Sequence, residues 1–223
     1  STDGGLTWGP VSTLIRDDSQ FFNDKNSITA DPTDPRYVYA VWDRLGASGG
    51  GPAMLARSTD GGATWEGARA IHDPGQRSQT IGNVIAVLPN GTVVDVFTQI
   101  DYAFNAPARA TLNALVSVDK GGSWSGPFRI ADALAVGARD PGTGASIRDG
   151  ANLPQVAVAP NGHLWVAWQD ARFSGGAHDG IALARSSDGG QTWSAPLQVN
   201  SAPSAQAFTP SVHVTANGTI GVS

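Results

Sequence analysis

The stretch STDGGATW, from Ser58 to Trp65, decides the fold because its pattern occurs four times in the chain. The other copies are STDGGLTW at 1–8, SVDKGGSW at 117–124 and SSDGGQTW at 186–193. Each copy has the form Ser-x-Asp-x-Gly-x-(Thr/Ser)-Trp. Four matches at five fixed positions are very unlikely by chance, so the sequence predicts a protein built from repeats of one supersecondary unit.

The residue types of the motif suit a tight turn followed by a buried ring. The aspartate can accept hydrogen bonds from nearby backbone N–H groups, and the second glycine can adopt the positive φ that such turns need. The tryptophan can bury a large ring between neighbouring sheets. We expect a purely structural role for the aspartates and tryptophans of the four copies, which are Asp3, Trp8, Asp60, Trp65, Asp119, Trp124, Asp188 and Trp193.

The motif resembles the Asp-box, or BNR repeat, of sialidases and related β-propellers. The resemblance implies that each box joins the third and fourth strands of a blade. The flanking sequence repeats as well, as strand, short turn, strand, loop, strand, box and strand. Asn-Gly pairs at 90–91, 161–162 and 217–218 predict two-residue hairpin turns. The fold class is therefore predicted to be all-β, a β-propeller of four-stranded antiparallel blades.

The spacing of the boxes, about 60 residues, fits one blade with long loops. We expect a single partial propeller domain over 1–223, with its blades at 1–16 (the end of a blade), 24–72, 79–131, 150–200 and 207–223 (the start of a blade). Closure into a ring removes exposed sheet edges, so we expect a six-bladed ring in the full protein, with about four blades' worth in this chain. The alternative is a smaller ring closed by the two terminal pieces.

Composition excludes several classes of function. The net charge of −5 argues against a nucleic-acid partner, which would require a basic surface. The chain has no cysteine and no run of about 18 apolar residues, so a disulfide, a thiolate metal site and a membrane span are not expected. We predict no metal and no cofactor. No leader sequence is visible, and we attribute this to a chain that begins inside a motif.

The antiparallel strand order places the functional face. The hairpin turns and the boxes lie at one end of each blade, while the loops between the second and third strands and the crossovers between blades lie at the other. These second segments are long and individual, which is typical of binding loops on a repeated scaffold. They collect the charged and aromatic candidates, namely Asp43, Arg44, Arg77, Asp101, Tyr102, Arg109, Arg148, Asp149, Asp170, Arg172, His178 and Asp179.

The resemblance to sialidases implies specific roles for some of these residues. That family clamps a substrate carboxylate with arginines and uses an Asp acid/base together with a Tyr nucleophile assisted by a Glu. The catalytic candidates are Asp43, Asp101, Tyr102 and Asp170, and the substrate-binding candidates are Arg44, Arg77, Arg109, Arg148 and Arg172. Salt bridges with neighbouring aspartates are the alternative role of these arginines.

Parts of the catalytic set are missing from this sequence. The only glutamate, Glu66, follows a box tryptophan and belongs to the opposite face. The family's Arg-Ile-Pro motif is absent, since Phe128-Arg129-Ile130-Ala131 lacks the proline and follows a box, so we place Arg129 in a fourth strand. His178 with Asp179 and Asp170 offers a weaker alternative as a cation site.

Two functions remain open at this stage. The first is a secreted or cell-surface sialidase-like glycoside hydrolase, exo-acting on a glycan or glycoconjugate at the face opposite the boxes. The second is a non-catalytic Asp-box propeller that binds a glycan or a protein partner through the same face. A fold of this kind serves many functions, so the fold alone does not separate them.

Overall fold

A computed structural model describes residues 1, 3–47 and 49–223. Thr2 in the first box and Ser48 in the 42–52 loop lie outside the described residues. The described residues form fourteen β-strands and one short 3-10 helix at Arg172–Ser174. The strands are arranged as three four-stranded antiparallel sheets and one two-stranded sheet, each with its strands in sequence order.

The sheets follow one another along the chain as blades. Blade 1 contains β1 (Phe21–Ala30), β2 (Val38–Gly46), β3 (Ala53–Ser58) and β4 (Arg69–His72). Blade 2 contains β5 (Ser78–Val87), β6 (Val93–Asp101), β7 (Arg109–Ser117) and β8 (Ser125–Ala133). Blade 3 contains β9 (Gln155–Val158), β10 (Leu164–Asp170), β11 (Gly180–Ser186) and β12 (Leu197–Gln198). The two-stranded sheet contains β13 (Val212–Val214) and β14 (Ile220–Val222).

Each box closes on its own aspartate, as the motif predicts. In the second box Asp60 accepts hydrogen bonds from the backbone N–H of Thr64 at 2.8 Å and from its hydroxyl at 2.5 Å. The hydroxyl of Ser58 donates to Asp60 at 2.8 Å and accepts from Gly62 N–H, also at 2.8 Å. Gly62 has a φ of 91°, so glycine is required there. The hydrogen bonds from Thr64 and Ser58 lower the pKa of Asp60 to about 2.

The third box has a lysine at the position where the other boxes have glycine, and this lysine contacts the neighbouring blade. Lys120 adopts a φ of 59° where the other boxes have glycine. Its Nζ donates to Asp31 Oδ2 at 2.8 Å and to Thr33 Oγ1 at 2.7 Å, both in the β1–β2 turn of blade 1. The Asp31 side chain is fully buried, and burial alone would raise its pKa, but the bonds from Lys120 and Thr33 hold the pKa below its ordinary value. The third box therefore joins blade 2 to blade 1.

Two of the four box tryptophans pack between sheets, as expected, and a third packs on a single sheet against a segment that contains no strand. Trp124 packs on the cluster shared by blades 1 and 2, and Trp193 on the cluster shared by blades 2 and 3. Trp65 packs on the other face of blade 1, together with Leu14. The prediction is wrong for Trp8, which is 80% exposed, because no sheet among the described residues lies against the first box.

The apolar core lies between successive blades. Residues of β6 and β7 pack against those of β10 and β11 in the largest cluster, which includes the fully buried Val96, Leu112 and Trp168. A second cluster joins Tyr39 and Leu55 of blade 1 to blade 2. The near-continuous apolar runs in the second strands are explained by this arrangement, since both faces of each blade are covered. Tyr39 is fully buried in this core.

The hairpin turns correct one detail of the sequence prediction. The Asn-Gly pairs lie at the tips, and Gly91 and Gly162 have φ values of 84° and 81°. The loops contain three residues rather than two, because Leu88 and Thr92 form the closing pair and Gly91 N–H donates to Leu88 O at 2.8 Å. Pro89 explains the difference, since proline favours the second position of a type I turn, which a glycine in the left-handed region then completes.

Residues 9–20 contain no strand, although we expected the end of a blade at 1–16. A fourth strand is held by its hydrogen bonds to a third strand, and no third strand pairs with this segment in the described part of the chain. Arg129 lies in β8, in agreement with its assignment to a fourth strand. No helix of the described residues is both long and apolar enough to cross a membrane.

The register of the second strand is the same in all three blades. The serine that opens each box pairs with a residue near the start of the second strand, in the pairs Ser58–Val38, Ser117–Val93 and Ser186–Leu164. Five residues further along the second strand, each blade has a polar side chain that is at most 1% exposed. These residues are Asp43, Thr98 and Gln169.

The contrast between the box tryptophans gives a matched test. We expect Trp193→Ala to lower the free energy of unfolding by about 2–3 kcal/mol, because the substitution empties part of the junction between blades 2 and 3. Trp8→Ala removes the same side chain at a solvent-exposed position and should change the free energy of unfolding by less than about 0.5 kcal/mol. Urea unfolding followed by circular dichroism measures both values, and equal losses would contradict the packing described.

Candidate functional site

Hydrogen bonds confirm which segments share the face opposite the boxes. Tyr102 N–H, in the 98–109 loop, donates to Arg77 O in the crossover before β5 at 2.8 Å. Gly51, in the 42–52 loop, donates to Ser78 O at 3.0 Å and accepts from Thr80 N–H at 2.8 Å. The long loops and crossovers therefore form one continuous surface, which we call the loop-rich face.

Asp43 does not reach that surface. It lies in β2, is fully buried, and accepts hydrogen bonds from Gly82 N–H at 3.0 Å, from Thr80 Oγ1 at 3.3 Å and from Asn83 Nδ2. Burial raises the pKa of Asp43 to about 7 in spite of these donors. Because its donors all belong to blade 2, the carboxyl forms part of the junction between blades 1 and 2, where a substrate has no access.

Asp170 and Arg172 form a buried, bidentate ion pair. Arg172 Nε donates to Asp170 Oδ1 and Arg172 Nη2 donates to Asp170 Oδ2, both at 2.8 Å. Asp170 is fully buried and also accepts from Trp168 Nε1 at 2.8 Å. Burial alone would raise its pKa, but the bonds from Arg172 and Trp168 lower the pKa below the ordinary value. The salt-bridge alternative therefore describes this pair, and neither residue is free to act on a substrate.

Two further arginines are held by aspartates. Arg44 Nη2 lies 2.6 Å from Asp17 Oδ1, and its guanidinium stacks on the ring of Phe21 with 3.6 Å between guanidinium carbon and ring centroid. Arg109 Nη2 lies 3.0 Å from Asp132 Oδ1, where both side chains are exposed. Arg44 keeps one edge on the surface, since its side chain is 24% exposed.

Asp149 and Asp179 hold the long crossover at 132–154 in place. Asp179 is buried and accepts from the N–H groups of Val136 at 2.9 Å and Gly137 at 2.8 Å. Gln169 Nε2 donates to both aspartates, at 2.9 Å to Asp149 Oδ2 and at 2.7 Å to Asp179 Oδ2. Because these carboxylates are used for backbone and amide donors, they fix the shape of the loop-rich face.

The His178 cation site receives no support. The imidazole Nε2 lies 3.2 Å from Pro203 O, and Asp179 points to the crossover. In the part of the chain that the structure describes, no group of three or more His, Cys, Asp or Glu side chains is arranged to hold a metal ion.

The remaining candidates lie at the surface of the loop-rich face. Arg77 and Arg148 are exposed and form no ion pair with any described residue. Tyr102 is 43% exposed, and the half-buried Asp101 beside it accepts from Gln99 Nε2 at 2.9 Å. Arg77 has a φ of 60°, a conformation that non-glycine residues rarely adopt and that is often found at binding sites.

Sequence reasoning missed one exposed aromatic residue and one groove. Phe104 is 82% exposed in the same loop as Tyr102. A groove of about 400 Å³ opens between the crossover residues 136–141, the 176–178 segment and Gln206. The presence of two aromatic residues in a loop between two strands was the available signal for the first. The groove depends on how the crossover folds, which the sequence does not encode locally.

Comparison with known proteins agrees with the repeat and the fold. The family model described as BNR/Asp-box repeat matches residues 184–195, which include the fourth box. The chain therefore has a β-propeller fold with Asp-box repeats, and this fold is similar to that of sialidases. Comparison with curated protein sequences gives no match.

Solved structures similar to this Asp-box propeller include glycoside hydrolases. The Hadza microbial sialidase Hz136 has 19% identity and a TM-score of 0.65 over 96% of this chain and 42% of its own. The Penicillium chrysogenum alpha-L-arabinanase complexed with arabinobiose has 16% identity and a TM-score of 0.61, over 100% of this chain and 65% of its own.

A protein of unknown function from Dyadobacter fermentans has 19% identity and a TM-score of 0.64 over 94% of this chain and 63% of its own. The Asp-box propeller therefore spans less than two thirds of the length of each of these structures.

The two ion pairs of the loop-rich face should differ in their effect on stability. We expect Arg172→Met to lower the free energy of unfolding by about 3 kcal/mol at pH 7, because it leaves the Asp170 carboxylate buried without a counter-charge. Arg109→Met breaks an exposed pair and should cost less than about 1 kcal/mol.

The effect of Arg172→Met should also depend on pH. The pKa of Asp170 is lowered in the folded state, so the ion pair contributes stability above about pH 4, and this contribution is lost as pH falls and the carboxyl is protonated. Urea unfolding at pH 7 and pH 3 measures the difference between wild type and variant, which should shrink at pH 3. A difference that stays constant would mean that the charge of Asp170 is not what Arg172 stabilises.

Proposed function

We propose that the loop-rich face binds a glycan, in a protein of sialidase-like, glycoside hydrolase type. The observation that carries this proposal is the placement of Arg77, Arg148 and Tyr102, which remain exposed on that face, whereas the other three predicted substrate-binding arginines are paired with aspartates. The similarity to glycoside hydrolase structures supports a sugar as the ligand. The proposal is limited to recognition, because the structure provides groups for binding more clearly than for bond cleavage.

Arg77 and Arg148 favour an acidic glycan as the ligand. A guanidinium presents several N–H donors in one plane and binds a carboxylate through two parallel hydrogen bonds. Neither Arg77 nor Arg148 has such a partner among the described residues, so a ligand carboxylate would not need to break an existing pair. The exposed rings of Tyr102 and Phe104 add flat apolar surfaces on which the C–H face of a sugar can pack.

Hydrolysis is a second candidate function, favoured by one pair of residues. Asp101 and Tyr102 are adjacent at the end of β6, where they could serve as acid/base and nucleophile. Glu66, however, pairs with Arg57 at 2.7 Å beside the second box, so it does not assist Tyr102. Asp43 and Asp170, the other proposed acids, are buried in hydrogen-bond networks. These observations make the non-catalytic alternative the better supported function of this chain.

Binding of an acidic glycan is expected to depend on the two exposed arginines. Arg77→Ala and Arg148→Ala should each weaken binding of 3′-sialyllactose about tenfold, since each removes charge-assisted hydrogen bonds. Arg36→Ala is the control, because Arg36 is also exposed but lies in the β1–β2 turn on the box face, where it pairs with Asp34. Calorimetric titration with 3′-sialyllactose and with lactose measures the affinities. Equal weakening by all three substitutions, or no binding at all, would refute the proposal.

A turnover assay separates the two functions. We expect the chain to bind 3′-sialyllactose without hydrolysing a fluorogenic sialoside, because no glutamate is available beside Tyr102. Hydrolysis that is lost in Tyr102→Phe while the affinity for 3′-sialyllactose is retained would overturn the non-catalytic assignment and establish Tyr102 as the nucleophile. Loss of both together would instead assign Tyr102 to binding.

A further inference from the structure

A carboxyl group in the middle of β6 has no well-formed hydrogen bond in the described part of the chain, and the only donor that acts to lower its pKa is the Val84 backbone N–H. Asp95 is fully buried, and neither of its two side-chain oxygens has a partner among the described residues. It interrupts the apolar run VVDVF, whose other members form the core. A buried carboxylate without a donor or counter-charge is strongly unfavourable, so this position requires a specific compensating group.

Asp95 faces the same junction as Asp43. Val93 lies two residues before Asp95, on the same face of β6, and packs with Tyr39 and Val41 of blade 1. Asp43 follows Val41 on the corresponding face of β2. The two carboxyls act on each other electrostatically, since burial and then the charge of Asp43 raise the pKa of Asp95 well above its ordinary value.

A third unpaired oxygen completes the group. Asn83 lies in the bulge of β5 between Ile81 and Val84, is 1% exposed, and contacts Asp43 through Nδ2. Its Oδ1 has no donor. The junction that carries the Asp43 carboxyl therefore also holds three acceptor oxygens without a partner among the described residues, two of Asp95 and one of Asn83. An excess of buried oxygen acceptors with negative charge is the chemistry that a cation requires.

The corresponding positions of the other blades show that this charge is specific to one junction. Thr98 and Gln169 occupy the place of Asp43 in blades 2 and 3, and both are uncharged. Ala40 and Val166 occupy the place of Asp95 in blades 1 and 3, and both are apolar. The fold itself therefore does not need carboxyls at these two positions.

We propose that the junction between blades 1 and 2 binds a hard cation, of which Ca²⁺ is the first choice, through the side-chain oxygens of Asp43, Asp95 and Asn83. Ca²⁺ accepts irregular sets of carboxylate and amide oxygens, whereas Mg²⁺ requires a near-ideal octahedron and usually retains several waters. The ion would join β2 of blade 1 to β5 and β6 of blade 2. This inference is independent of the glycan proposal, since the site is buried beneath the loop-rich face.

The test measures calcium binding and stability on the purified chain. After EDTA treatment and exchange into buffer at pH 7.5, titration with CaCl₂ should show saturable binding of one ion per chain. At about one hundred times the Kd, the Tm should rise by about 5 °C or more. MgCl₂ at the same concentration should give a smaller rise.

Two variants locate the ion. Asp95→Asn keeps the shape of the side chain and removes its charge, so it should fold and lose at least about tenfold in calcium affinity and most of the Tm shift. Asp18→Asn is the matched control, because Asp18 is an exposed carboxylate outside the junction, and it should respond to CaCl₂ like the wild type.

Two results would overturn the proposal. The first is a wild-type chain that neither binds Ca²⁺ nor changes its Tm with CaCl₂, which would mean that a proton shared by the carboxyls compensates their charge. The second is an Asp95→Asn variant that retains the full calcium affinity, which would place the ion elsewhere. The wild-type titration does not depend on whether the variant folds, so the proposal can fail on that measurement alone.

Discussion

The turn that the box aspartate closes is the interaction on which the rest of the structure depends. One carboxylate accepts hydrogen bonds from the backbone N–H and the hydroxyl of the residue four positions later, and from the hydroxyl of the box serine. These bonds fix the path of the chain from the third strand to the fourth. The same serine pairs with the second strand at an identical register in each blade. The turn therefore determines which side chains of the second strand face the next blade, and so what each junction contains.

Most of the fold could be predicted from the sequence because its signals are local. The box specifies its own turn through residues within eight positions, and the Asn-Gly pairs specify the hairpin tips. The predictions failed where a distant element decides the outcome. Trp8 ends the same motif as Trp193, but no sheet among the described residues lies against it, and it is exposed. An Asn-Gly pair alone predicts a two-residue hairpin, whereas the Pro89 that precedes this pair favours the three-residue loop that is observed.

The candidate site was less predictable, because the sequence indicates where a strand ends but not whether a side chain near that end is buried or exposed. Asp43 and Arg44 are neighbours, yet β-strand alternation sends one into the junction and leaves the other 24% exposed beside Asp17. The sequence predicts separate roles for Asp170 and Arg172, but the two residues are paired with each other. Asp95 was overlooked, although a carboxyl inside an apolar strand is a signal that the sequence does contain. The exposure of a side chain and its ion pairs can be seen only in three dimensions. Of the nine predicted catalytic and substrate-binding residues, those that are neither fully buried nor held in an ion pair are Arg77, Asp101, Tyr102 and Arg148.

Lys120 shows that the repeats are not interchangeable parts. Lys120 adopts an unfavourable backbone conformation in a position where glycine would be free of strain. Its ammonium group pairs with the buried carboxylate of Asp31 in the adjacent blade. A blade transplanted, duplicated or permuted out of this order would carry the strain without the partner. A single side chain, Lys120, therefore favours the order in which blade 2 follows blade 1. We expect that recombination of such repeats during evolution keeps these two blades together.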